Sequence, residues 1–441
     1  MSRLLVSKNV LALHPGCSDP RQTTSAVSNS LQQVRLNRKV LNKNGEIMYQ
    51  RIQGMTGMTE TFDELMAVYE GREGRGVVFQ PRIKHWYDVN LAAGTLPKKY
   101  QGMYVDEVYQ DLGVTPREVW GPGGAGSEFA GYLPLQTKEG DDVEVWVKQT
   151  HGLFYETEPH DYIITEYRTP VGTMRQIQRR TEYGTSLYNV EYYLKDLKDI
   201  EVYKYVLRER KYLWKRLRYS WGMKRYGDNL PLRVQLPRSP LMWLMVGTMG
   251  FQRTVIMLWR HRKEMEELIR LLEEEFEKML EVCQGKAIIE LSFGDNMHQD
   301  MCSPPYFKKY IIPFYQQLMP KIHAMEVYTT SHWDGFVKQL LPLVKETGLD
   351  GLECVTPLPQ GDVTLEEMKE GMEGMFLRDG IPAVLFCPWI DLATLEEHVR
   401  KLLKLFYPRL ILGVSDLLPA NAEIERIRFV NKIVQEFNES L

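Results

Sequence analysis

KAIIELSFG (residues 286–294), YFKKYIIPFYQQLMPKI (306–322) and MEVYTTS (325–331) decide how this chain folds. The first and third are apolar runs too short for an independent helix. The middle one repeats its apolar residues at helical spacing. Strand, helix and strand in this order form a right-handed βαβ unit, in which the two strands run parallel. The rhythm continues outward, through LPLRVQL (230–236) upstream and LDGLECV (349–355), IPAVLFC (381–387) and RLILGVS (409–415) downstream. Between these runs lie the helical stretches MEELIRLLEEEFEKMLEV, TLEEHVRKLLKLF and NAEIERIRFVNKIVQEF. A first strand in RGVVFQPRI and another near Val119 bring the count to about eight, so a closed (β/α)8 TIM-type barrel is expected.

Residues 1–55, rich in Ser, Asn, Gln and Arg, read as an N-terminal extension, and the globular pattern of residues 56–441 opens with the helical text TFDELMAVYEG. From Asp142 to Thr181 the text alternates, as in VEVWVKQ, YIITEYRTP and MRQIQRRT. This predicts antiparallel β-hairpins inserted at about 130–182. Helical text returns from Val190 to Tyr219. Its basic, aromatic end, Arg208 to Arg225, reads as a solvated face with snorkelling side chains rather than an RNA site, and it offers a docking face for a protein partner. The glycine-rich GPGGAGSEFAGY (121–132) has neither a Lys-Ser/Thr pair nor a strand-to-helix GxGxxG, so an ordinary loop is expected.

Fifty-five lysines and arginines against 58 aspartates and glutamates leave a formal charge of -3, with no global pull toward nucleic acid or an anionic membrane. The five cysteines (Cys17, Cys283, Cys302, Cys354 and Cys387) form no CxxC pair, and a reducing cytoplasm is expected. MSRLLVSKNVLALHPGC lacks the pattern of an export signal. The most apolar window, PLMWLMVGTMG (240–250), is too short to span a bilayer and reads as a buried segment.

The carboxyl ends of the expected strands carry Asp295, His332, Asp334, Glu353 and Asp416. That end of a parallel sheet is where ligands bind. Each residue alone reads as a helix cap or a satisfied loop residue. Together they form a group of acids around an imidazole, costly to bury unless it binds a cation or a substrate. In SHWDG (331–335) the His-x-Asp spacing points two ligands the same way. An aspartate from another strand would complete three ligands and leave a position open, as a catalytic zinc site requires; Mn2+ or Fe2+ would also suit these donors.

From about Arg75 to the C-terminus, the chain resembles the uroporphyrinogen decarboxylase superfamily, and more closely its methyltransferase branch. The similar text is MVGTMGFQRTVIMLWRHRKEMEELIRLLEE, FGDNMHQDMCSPPYFKKYIIPFYQQL, SHWDGFVKQLLPLVKETGLDGLECVTPLPQGDVTLEEMK, GIPAVLFCPWI and RLILGVSDLLPANAEIERI. The resemblance implies a distorted barrel with its pocket at the strand ends. Two departures place this chain within the superfamily. The decarboxylases' arginine-rich MRQAGRY motif is replaced by PRIKHWYDVN, which makes porphyrinogen decarboxylation an unexpected activity. Where the thiol methyltransferases hold zinc with His-x-Cys and a later cysteine, this chain has His332, Asp334 and Asp416.

Carboxylates in place of thiolates make a harder site, better suited to an oxygen substrate. The resemblance therefore implies the first methyltransferase of an O-demethylase system, which moves a methyl group from an aryl methyl ether to cob(I)alamin. No DxHxxG signature is present, so a partner corrinoid protein is expected to supply the cobalamin. His332, Asp334 and Asp416 would hold the metal, Zn2+ first. Glu353 would serve as a fourth ligand or an orienting group, and Asp295 would orient substrate or shuttle a proton. Trp86 and Tyr87 would stack on the small-molecule methyl donor. The alternatives are a metal-free decarboxylase-like lyase using Asp295 and local arginines, and a non-catalytic barrel that binds a tetrapyrrole or corrinoid.

Overall fold

Residues 38–41, 47–50, 60–117, 135–153, 158–182, 186–214, 233–286 and 288–441 are described by the structure, a computed structural model. The chain divides into two units, Met1–Thr56 and Gly57–Leu441. The first contains an antiparallel pair that its polar text did not announce, β1 (Arg38–Leu41) and β2 (Ile47–Gln50).

In the second unit the strands are β3 (Val78–Phe79), β4 (Leu135–Lys138), β5 (Glu144–Gly152), β6 (His160–Thr169), β7 (Gly172–Arg180), β8 (Leu187–Glu191), β9 (Lys211–Trp214), β10 (Arg233–Leu236), β11 (Glu290–Met297), β12 (Tyr328–Trp333), β13 (Gly351–Glu353), β14 (Phe376–Pro382) and β15 (Leu410–Ser415). Seven of them form one sheet in the order β10-β11-β12-β13-β14-β15-β3. Every neighbouring pair in it is parallel. Because β3, the first of these strands in the chain, pairs with β15, the last, the sheet curls back toward its own beginning. The eighth strand expected near Val119 falls within residues 118–134, outside the described residues, as does the glycine-rich loop. The described architecture is thus an α/β fold around a curled, seven-stranded parallel sheet.

Helices cover the outer face because their apolar residues recur every three or four positions. In Arg262–Cys283 the buried stripe includes Met265, Leu268, Leu272, Phe276 and Met279. Two expected elements shift. The run IPAVLFC is mostly not a strand: β14 begins at Phe376, and Ala383–Phe386 is a 3-10 turn. The strand was hidden because its centre reads Arg378-Asp379-Gly380, charged text that is nevertheless buried. The apolar residues of FVKQLLPLVKETG (336–348) also recur at helical spacing, yet the segment forms a 3-10 turn at Leu341–Thr347, with a proline in its first turn. The window PLMWLMVGTMG folds into a short helix and a π-helical turn, and Leu241, Met242, Leu244 and Met245 are buried.

The insertion is larger than the alternation suggested. β5-β6-β7-β8 make one antiparallel sheet running to Glu191, and β4 pairs with β9, which follows the helix Leu197–Glu209 in the chain. Arg208 pairs with Glu267 at 3.2 Å, and residues 215–232, most of the basic stretch read as a docking face, lie outside the described residues. Among the described residues no helix is long and apolar enough to cross a membrane.

Candidate active site

Strand alternation sends Glu290 and Ser292 of β11, His332 of β12, Glu353 of β13 and Arg378 of β14 into the curl of the sheet, where each meets side chains from other strands. Glu290 lies deepest. It accepts hydrogen bonds from Tyr69 Oη (2.6 Å), Arg233 Nε (2.9 Å), Arg378 Nη2 (2.5 Å) and the Thr330 hydroxyl. Burial alone would push this carboxyl up, but Arg378 and Arg233 outweigh it and bring its pKa down to about 2.

One layer up, Glu353 forms an ion pair with Arg117 at 2.7 Å and another with Arg233. Its Oε1 also lies 3.3 Å from His332 Nδ1. Burial, against the pull of Asp416 and with Arg82 and Arg117 nearby, brings the His332 pKa down to about 4, so the imidazole is neutral at pH 7. The Glu353 carboxylate can only accept, so a neutral imidazole meets it with Nδ1–H and keeps its lone pair on Nε2, 3.9 Å from Asp416 Oδ1. A carboxylate behind a histidine fixes its tautomer in this way at metal sites.

At the top, single donor atoms of His332, Asp334 and Asp416 all lie within 4.8 Å of one another. Arg82 and Cys354 also approach Asp416 Oδ1, the thiol at 3.4 Å. Burial pushes the Asp416 carboxyl up, but Arg82 and His332 overcome it and hold the pKa below its ordinary value. Burial, then Asp416, push the Asp334 carboxyl up. A neutral imidazole nitrogen and two carboxylates from two loops are a donor set that fits a divalent cation. A second trio, His332, Glu353 and Cys354, has similar proximity. It is a poorer donor set, because Glu353 is committed to two arginines, and burial with Asp379 and Asp416 raises the Cys354 pKa far above its usual range.

The structure adds residues that the sequence reading did not single out. Arg117 binds both Asp379 and Glu353. Cys354 donates to Asp379 at 3.0 Å. Cys354 (φ 64°) and Asp379 (φ 85°) both adopt left-handed backbone conformations that non-glycine residues rarely take, and such outliers gather at functional sites. Gly413 permits the approach, since a Cβ there would collide with the Asp379 carboxylate. The available signal was an arginine inside each of LPLRVQL and RGVVFQPRI, at odds with apolar strand text.

Asp295 is fully buried and accepts from the Ser239 backbone N–H (2.5 Å), Ser331 Oγ (2.7 Å) and the Tyr315 hydroxyl. These three donors tie together the loop after β10, strand β12 and the helix Ile312–His323. Trp86 and Tyr87 lie on the helix Lys84–Ala93 and belong to the apolar core. The Trp86 indole donates to the Ala422 carbonyl at 3.1 Å, and the Tyr87 hydroxyl donates to that of Met103. The Trp86 ring also lines a depression of about 610 Å³, together with Leu392, Ala422 and Phe429.

A curled parallel sheet with a polar, arginine-braced interior, and with His332, Asp334 and Asp416 at the carboxyl ends of its strands, defines the class of protein as an α/β fold. Residues 237–437, a little under half of the chain, match the family model described as Uroporphyrinogen decarboxylase (URO-D). Among solved structures, it is similar to a methyltransferase from Methanosarcina mazei (13% identity, TM-score 0.49, covering 86% of this chain and 98% of that one). It is also similar to a B12-independent methionine synthase from Shewanella sp. W3-18-1 (12% identity, TM-score 0.40, covering 83% and 97%). No curated protein matches it significantly.

Proposed function

We propose that this protein is a methyltransferase that takes the methyl group of an O-methyl substrate, an aryl methyl ether, and passes it to the cob(I)alamin of a partner corrinoid protein. The observation that carries this reading is the convergence of His332 Nε2 with the Asp334 and Asp416 carboxylates at the strand ends. A divalent metal held by these three residues, zinc first, would supply a Lewis acid to the ether oxygen as its methyl group leaves.

The surrounding residues brace that site. Glu353 orients the imidazole, while Arg117 and Arg233 hold Glu353 in place. Arg82 holds Asp416. The metal-free lyase alternative asks for arginines that can grip the carboxylates of an acidic substrate. Arg82, Arg117, Arg233 and Arg378, the arginines around His332 and Glu353, are instead engaged with Asp416, Asp379, Glu353 and Glu290, so none of these four is available to a substrate carboxylate.

The test is metal content and methyl transfer in parent and His332→Ala. Parent purified without chelator should carry about one zinc per chain and transfer methyl from a methoxylated aromatic only when a corrinoid protein is added. His332→Ala should lose both properties while keeping its circular dichroism spectrum. Equal metal in the two proteins, or turnover without any corrinoid, would overturn the proposal.

A further inference from the structure

Arg82, Arg117, Arg233 and Arg378 each pair with a carboxylate, and Arg238 does not. Arg238, in the loop directly after β10, forms no ion pair among the described residues. Its Nη2 donates to the neutral side-chain oxygen of Asn296 at 3.1 Å, and its Nε is buried without any acceptor. The next residue, Ser239, has a second buried donor, Oγ, also without an acceptor. Burial pulls the Arg238 pKa down, with Asp295 opposing, as expected for a cation short of counter-charge. A guanidinium is charged at any physiological pH, so this position lacks an oxyanion rather than a proton.

The position relates directly to the candidate centre. Asn296 stands at the end of β11, and the carbonyl of the following Met297 accepts the backbone N–H of Asp334 at 3.0 Å. Arg238 thus sits two strands from His332, roughly 10 Å at ordinary strand spacing. A benzene ring with an acidic group at one end and a methoxy group at the other, hydrogen-bonded at the acidic end, spans a distance of that order. Asn296 accepts from Arg238 through Oδ1, which leaves its amide nitrogen as a further donor toward the same anion.

We propose that Arg238, with Asn296 beside it, is the anchor for a carboxylate on the substrate, so that the methyl donor is an aromatic acid carrying a methoxy group. This inference rests on the methyltransferase reading for the methoxy end; the anion site itself does not. Planar, bidentate recognition of a carboxylate is what an arginine supplies and a lysine does not.

The experiment is calorimetric titration of the full-length protein with benzoate, 4-methoxybenzoate and methoxybenzene, in parent, Arg238→Gln and Arg238→Lys. Both carboxylates should bind parent and weaken roughly 10- to 100-fold in Arg238→Gln, the usual loss for a charged hydrogen-bond partner. Arg238→Lys should recover part of that loss, and it serves as the test if the glutamine variant does not fold. Methoxybenzene should bind all three proteins alike. Failure of both carboxylates to bind parent, or equal binding by parent and Arg238→Gln, overturns the anchor. Arg238-dependent binding of benzoate without any methyl transfer would leave the anchor standing and remove the methyltransferase reading. Transfer from methoxybenzene and 4-methoxybenzoate at equal rates in parent and Arg238→Gln would do the reverse.

Discussion

The parallel sheet and the antiparallel sheet of the insertion are both rich in charged residues, but they place them in opposite environments. Around the curl, Glu290 and Glu353 pair with Arg233, Arg378 and Arg117, and the acids and Arg117 and Arg378 have side chains at most 5% exposed. In the insertion, Arg168 pairs with Glu166 and Arg175 with Glu191, and both arginines are about half exposed. The comparison teaches that residue type does not set the worth of an ion pair here; the surrounding medium does. A buried charge that loses its partner has no water to turn to, whereas a surface charge does.

Glu290→Ala should break the comparison most severely. It strips the acceptor from Arg233, Arg378, Tyr69 and Thr330 at once, and removing one side of a buried pair typically costs about 3–5 kcal/mol. Denaturant unfolding of parent and variant would measure it. A loss under about 1 kcal/mol, the range of surface pairs, would mean that the curl is well hydrated and the contrast false.

The pH dependence sharpens the same contrast. The His332 pKa is lowered from 6.5 to about 4, so the unfolded chain binds the proton more readily in that window. The stability His332 contributes is fully present above pH 6.5 and is lost as the pH falls toward 4. Glu290, lowered from 4.5 to about 2, extends the loss through more acid conditions. His332→Asn should flatten the slope between pH 6.5 and 4 in urea titrations; an unchanged slope would place the imidazole in water.

A smaller effect is expected at Gly335→Ala. Gly335 has φ 76° and lies against the His298 ring, so an added Cβ both strains the backbone and collides. The strained conformation alone costs about 1–2 kcal/mol, and the turn that carries Asp334 should shift. Thermal unfolding together with metal affinity would register it. The smallest effect belongs to the insertion: Arg168→Ala, which removes a surface ion pair and the guanidinium 4.6 Å above the exposed Trp146 ring, should cost at most about 1 kcal/mol. A cost as large as that of Glu290→Ala would erase the distinction between the two sheets.

By itself the sequence determined the alternation of strands and helices, the parallel sheet, the hairpin insertion and the set of polar residues at the strand ends, His332, Asp334 and Asp416 among them. All of these are local signals: apolar spacing announces an element, and a polar residue at the end of an apolar run marks the rim of a parallel sheet. Only the tertiary structure decided that Arg82, Arg117, Arg233 and Arg378 are internal. Their partners stand far off in the chain, as Arg82 does from Asp416 and Arg117 from Asp379. The same remoteness hid β14, whose central Arg378 and Asp379 read as surface until Glu290 and Arg117 are brought to them. A charge reads as solvent-facing in one dimension because its counter-charge is supplied by a strand that only folding places beside it.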